Sequence, residues 1–150
     1  MEVNLDKRYQ TLLVLWIAML MNVVMFFVVI TLAAPESAGQ PDTEPFSLAT
    51  FVLAAVGTFL VVISFTVKNK LLERSVERQD LDLVQKAYVL AFAICEVSAV
   101  IGLVERFVLR NSDYFLMLII AFIGIALHFP RRDHLKSASF KSPEFGDAAL

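Results

Sequence analysis

Four stretches of this 150-residue chain are too long and too apolar to fold as helices in water: Tyr9 to Ala34, Ser47 to Val67, Ala87 to Leu109, and Tyr114 to Phe129. A helix rises about 1.5 Å per residue, so about 20 residues cross a hydrocarbon layer about 30 Å thick. In lipid every backbone N–H and C=O needs a partner within its own segment, which makes each stretch a continuous helix. The expected fold is all-α: a four-helix transmembrane bundle forming one integral domain over residues 1–150. A connection at 68–86 and a tail at 130–150 lie outside the spans. The fourth stretch is the shortest, and Pro130, which cannot donate to the helix ladder, is its natural terminus.

Lys7 and Arg8 before the first stretch, and Ala33, Ala34 and Ala38 at its end, also fit a signal peptide. The apolar run from Leu12 to Ala34 is longer than the usual h-region of about 7–15 residues, so it is read as an uncleaved transmembrane helix.

Composition narrows function mainly by exclusion. A mean hydropathy of +0.70 with 19% charged residues is far from a water-soluble domain. The net charge of -2 and the lack of a basic face argue against nucleic acid. Cys95 is the sole cysteine, which rules out an internal disulfide and a cysteine-rich metal site. No nucleophile–base–orienter trio and no phosphate-cradling glycine loop can be read, so no catalytic residue, cofactor or metal is expected.

Charge distribution gives an orientation. The connection 35–46 holds three acidic residues and no Lys or Arg, whereas 68–86 holds Lys68, Lys70, Arg74, Arg78 and Lys86. The tail adds Arg131, Arg132, Lys136 and Lys141. With both termini and the middle connection on one side, eleven of the thirteen basic residues fall there, which predicts cytoplasmic termini in a cell membrane. Leu72, Val76 and Leu83 near helical spacing, and charges at Glu73, Glu77, Arg74 and Arg78, predict that 68–86 extends the flanking helices. A surface for a partner or for anionic headgroups is the alternative.

Chain order suggests two tandem hairpins. VLAAVGTFLVV (52–62) resembles LIIAFIGIALH (118–128), and LWIAMLMNVVMFF (15–27) resembles AFAICEVSAVIGL (91–103). This pairing sets Met21 or Asn22 at the depth of Glu96, on neighbouring helices.

Glu96 is the one charge between Ala87 and Val104. An intramembrane carboxyl is neutral, paired or functional. Ala91, Cys95, Ser98 and Gly102 on the same helix are spaced four, three and four apart, forming a seam of small side chains suited to close helix packing. Glu96 lies about 100° round the helix from Cys95 and projects to one side of that seam. Three roles are open to it: a neutral carboxyl donating a hydrogen bond to Asn22, a Ser or Thr, or a backbone carbonyl; a carrier of protons or Na⁺; or a contact to another subunit. Desolvation disfavours its ionised form.

The run Glu96-Val-Ser-Ala-Val100-Ile-Gly102-Leu103-Val104 resembles the carboxylate helix of the rotor proteolipid, subunit c of F- and V-type ATPases. The resemblance implies an ion-carrying carboxylate at Glu96, close packing at Gly102, and a bundle built from a duplicated hairpin. Two features depart from that family. Glu96 stands on the third helix, after a long connection, and the first helix carries Met19, Leu20, Met21, Val24, Met25 and Phe26 in place of alternating glycines.

Among the remaining residues, His128 is read as snorkelling at the interface beside Arg131, Arg132 and His134, in preference to haem or metal ligation. Glu105 with Arg106 and Arg110 reads as an outer-interface ion pair. Trp16 is a lone aromatic, and Ser64 and Thr66 are set to bond their own helix carbonyls. The leading expectation is a non-catalytic accessory or structural subunit of a larger membrane complex, with membrane lipids and other subunits or a second copy as partners. A protein translocating protons or Na⁺ through Glu96 is the alternative, and a bundle binding lipids or small molecules is a third.

Overall fold

The computed structural model describes residues 5–33, 48–108, 110 and 112–139, and every regular element among them is helical. The elements are α1 (Leu5–Ala33), α2 (Leu48–Arg78), α3 (Leu81–Phe107), a 3₁₀ turn (Ser112–Tyr114), α4 (Phe115–Leu127) and α5 (Arg132–Ser139). The acidic connection 35–46 and the tail from 140 onward lie outside the described residues.

Three helices are long and apolar enough to cross a membrane, and the α4–α5 pair makes a fourth if its 48° bend is counted within one span. At 31 residues α2 is about 46 Å long, well beyond a hydrocarbon layer of about 30 Å. Its excess is the charged run from Lys68 to Arg78, so most of the connection 68–86 is helix. The remainder is a tight turn. Gln79 takes φ 51°, its N–H reaches Val76 O at 3.3 Å, and Asp80 N–H reaches Ser75 O at 3.0 Å. These bonds satisfy the last carbonyls of α2 as a Schellman motif, although no glycine is present. Asp80 then caps α3, its carboxylate accepting Asp82 N–H at 2.8 Å.

The central element is α3. In its most apolar stretch 44% of residues are buried, against 11% for α1. It packs against α1, α2 and α4, and α5, bent 48° from α4, packs against α1, α2 and α3. The buried face of α3 comprises Val84, Tyr88, Ala91, Cys95, Ser98, Gly102 and Glu105, alternating four and three residues apart. That spacing keeps one stripe against its neighbours along the whole helix, as in left-handed bundles.

Small residues set how near the helices come. A Cβ on Gly102 would stand 3.1 Å from Tyr114 O and from Met117 Cβ. On Gly124 it would meet Val61 Cγ2 at 2.8 Å and Cys95 Sγ at 3.0 Å, whereas on Gly57 it would meet chiefly the flexible end of Met117. Gly124→Val is expected to destabilise the fold by about 1–3 kcal/mol through overpacking. Gly57→Ala should lose clearly less, because the Met117 thioether can swing aside. Thermal unfolding of the two variants in detergent checks the order.

Candidate functional site

Asn22 and Glu96 meet near the middle of α1 and α3, with Asn22 Nδ2 donating to Glu96 Oε1 at 2.8 Å. Fourteen residues earlier on both helices, Arg8 pairs with Asp82. Both pairs are separated by 74 positions in sequence, so α1 and α3 run parallel in one register across two heptads. The expected neighbourhood of Asn22 and Glu96 is therefore real, but the donor is the amide and not the carboxyl. An amide turned over would present Oδ1 to a protonated Glu96 in the same place, so the pair can hold either state of the carboxyl. Both residues are half-buried. They open outward beside exposed Met21, Met25, Val97 and Val100.

The small-residue seam turns the other way. Ala91, Cys95, Ser98 and Gly102 are all buried within the chain. Ser98 Oγ approaches Gly57 O on α2 at 3.4 Å, and Gly102 and Cys95 face α4. The seam is thus occupied by the chain's own helices, and Glu96 lies on a separate face.

His128 departs from expectation. It does not snorkel; it is fully buried, with its ring centroid 4.1 Å from that of Phe65. The last turn of α4 tightens before Pro130, sending His128 N–H to Ile125 O at 3.0 Å instead of to Gly124 O. Gly124 O faces the ring Nδ1 at 2.6 Å. A carbonyl only accepts, so Nδ1 carries the proton. On the other side Nε2 lies 3.1 Å from Ser64 Oγ, which also takes the Cys95 thiol at 3.4 Å and lies 2.6 Å from Val61 O. Ser64 has one proton, and its shorter bond donates it to Val61 O. Ser64, His128 and Gly124 O share the connectivity of a nucleophile, base and orienter, a set invisible in sequence because α2 and α4 supply it jointly. Their complete burial behind Phe65 and Cys95 makes the group a polar pin between helices.

Two further readings are corrected. Glu105 is 1% exposed and completes the buried stripe of α3, while Arg106, about 100° away, lies over the Tyr114 ring at 5.6 Å. Glu105 is therefore an interior group of the bundle and not an exposed interface residue. Trp16 is no lone aromatic: its Nε1–H donates to Ile125 O at 2.9 Å, and its ring meets Phe129 edge-on at 5.1 Å. Ser64 and Thr66 do reach their own helix, at Val61 O and Val62 O. Thr50 and Asp113, both buried, join α2 to the 3₁₀ turn at 3.2 Å.

A second polar cluster lies where α5 packs on α2 and α3. Buried Tyr88 accepts Arg131 N–H at 3.2 Å, so its own proton goes to His134 Nδ1 at 2.7 Å. That assignment leaves the His134 proton on Nε2. Burial pushes the His134 pKa down, the Lys68 and Arg131 cations push it further, and Asp133 opposes them. No group of three or more His, Cys, Asp or Glu among the described residues is placed to hold a metal. Comparison with protein-family models, curated proteins and solved structures finds no match to this chain.

His134 yields a pH dependence with a definite sign. Its folded pKa lies below the ordinary value near 6.5, so the stability linked to its neutral form is fully present above about pH 6.5 and lost as pH falls through the folded pKa. Hydrogen exchange at α5 amides should accelerate below about pH 6.5, and His134→Gln should flatten that response. Unchanged protection of α5 down to pH 5 would contradict the assignment.

Proposed function

We propose that this chain is a multi-pass membrane protein with its basic end at the cytoplasmic face, serving as a non-catalytic subunit or accessory protein of a larger membrane complex. The half-exposed Asn22–Glu96 pair carries this reading. Asn22 Oδ1 and Glu96 Oε2 keep hydrogen-bonding capacity beyond their mutual bond, in the middle of helices otherwise surrounded by exposed apolar side chains. Polar groups at that depth in hydrocarbon are expensive, and a polar group on a neighbouring subunit relieves the cost. The internal closure of the α3 seam adds a constraint: a partner would meet the α1–α3 face.

One observation favours a second reading, in which Glu96 binds and releases a proton or Na⁺ as in the rotor proteolipid it resembles. The pair accommodates both protonation states by an amide turn, and its half-exposure leaves the carboxyl open to a passing ion.

Replacing Glu96 separates the two. Under the subunit reading, Glu96→Gln keeps co-purification with partner subunits because Gln still hydrogen-bonds, whereas Glu96→Leu reduces it about threefold or more, the equivalent of roughly 0.6 kcal/mol for an interhelical hydrogen bond. Under the carrier reading, Glu96→Gln leaves assembly intact and abolishes proton or Na⁺ flux in proteoliposomes. Wild-type chain purifying from mild detergent as a lone monomer would overturn the subunit reading.

A further inference from the structure

At the end of the molecule where α5 packs on α2 and α3, Lys68 is 8% exposed. Its ammonium lies 4.9 Å from the Phe65 ring centre and 5.7 Å from that of Tyr88. It makes no ion pair among the described residues. Ring faces attract a cation but do not accept its three N–H bonds as oxygen does. Buried ammonium groups are ordinarily paired, and the other charged groups here offer little relief. The His128 ring lies against the same Phe65, and His134 and the Arg131 N–H both meet the Tyr88 hydroxyl, so these groups gather around the two rings that hold Lys68. Glu73, the carboxylate nearest to Lys68 in sequence, is an exposed side chain. A cleft of about 340 Å³ between α2 and α5, lined by residues that include Asn69, Leu72, Glu73 and Ser137, meets this cluster at His134; Lys68 and Arg131 stand behind its lining. The bond from Tyr88 to His134 Nδ1 leaves an N–H on Nε2 of a ring that lines this cleft.

We propose that Lys68 anchors a binding site for an anionic phosphoryl group entering between α2 and α5, with Arg131 as the second cation and His134 Nε2–H as a neutral donor. A phosphoryl oxygen supplies the acceptor that the Lys68 ammonium lacks among the described residues, and charge-assisted bonds of this kind are among the stronger ones. A lipid headgroup and free phosphate share that chemistry. The lipid source rests on the membrane reading above, since a basic end at the cytoplasmic face would stand at the level of anionic headgroups.

Thermal unfolding of the purified full chain tests the site without any partner subunit, so its outcome is independent of the Glu96 experiments. Three conditions are compared: maltoside micelles, which carry no phosphate, the same micelles doped with phosphatidylglycerol, and maltoside micelles with millimolar inorganic phosphate. Wild type should gain stability with phosphatidylglycerol. Lys68→Met should require about tenfold more of it for half the effect, and Arg131→Gln a smaller increase. Arg74→Gln, on the exposed face of α2, should behave as wild type. A Lys68-dependent gain from inorganic phosphate alone would assign the free anion as ligand; a gain from phosphatidylglycerol alone would assign the lipid. Equal responses from wild type, Lys68→Met and Arg131→Gln, or no response from wild type, would overturn the proposal. If Lys68→Met fails to fold, Arg131→Gln decides: a wild-type response from it refutes the site.

Discussion

The close approach of α2, α3 and α4 along one stripe is the contact on which the rest of the structure depends. Its geometry comes from residues that are nearly absent as side chains. Gly102 meets the backbone of the 3₁₀ turn, Gly124 admits Val61 and Cys95, and Gly57 admits Met117 and the Ser98 hydroxyl. Among apolar helices in an apolar solvent there is little hydrophobic reward for association, and contact area between well-fitted surfaces takes its place. A stripe repeating four and three residues apart supplies that area over the full length of α3.

Several polar groups within this packing form connected sets at particular levels. Thr50 and Asp113 join α2 to the 3₁₀ turn, and Ser98 meets Gly57 O along the helices. Cys95, Ser64 and His128 form a connected group, and Tyr88, His134 and Arg131 form another where α5 packs on α2 and α3. Such sets contribute modestly to stability but define register, because a slipped helix would leave each donor buried without an acceptor. α1 is held differently. Its apolar surface is mostly exposed, and it is fixed by Arg8 to Asp82, Asn22 to Glu96 and Trp16 to Ile125 O. The first two share one offset, which sets α1 beside α3 in parallel. The third ties it to α4.

Much of this was readable in the chain. Asn22 and Glu96 each interrupt a long apolar run near its middle, and few polar partners exist at that depth, so their meeting followed from scarcity. The seam was readable because small residues at a four-three-four spacing necessarily share a face. The helical character of 68–86 followed from apolar residues at helical spacing among charges. His128 and Glu105 were misread for one reason: each is a polar residue near a helix end, where exposure is the usual outcome, yet each falls in phase with a buried stripe. Extending the 91–95–98–102 series one step reaches Glu105, so that signal was present. The turn at Gln79 had no signal, since a left-handed residue at a helix end is usually glycine or asparagine.

By itself the sequence determined the helical, apolar character of the chain, the small-residue face of α3 and the isolation of Glu96 among apolar residues. These follow from composition and from the fixed 3.6-residue period of a helix, which are local properties. The tertiary structure alone decided that the seam closes on α2 and α4, that Glu96 looks outward with Asn22, that His128 turns inward to Ser64, and that Lys68 is buried with no ion pair among the described residues. Those outcomes depend on side-chain volumes meeting across helices far apart in sequence and on how each helix ends. Helical periodicity says which residues share a face, but packing selects the neighbour that the face meets.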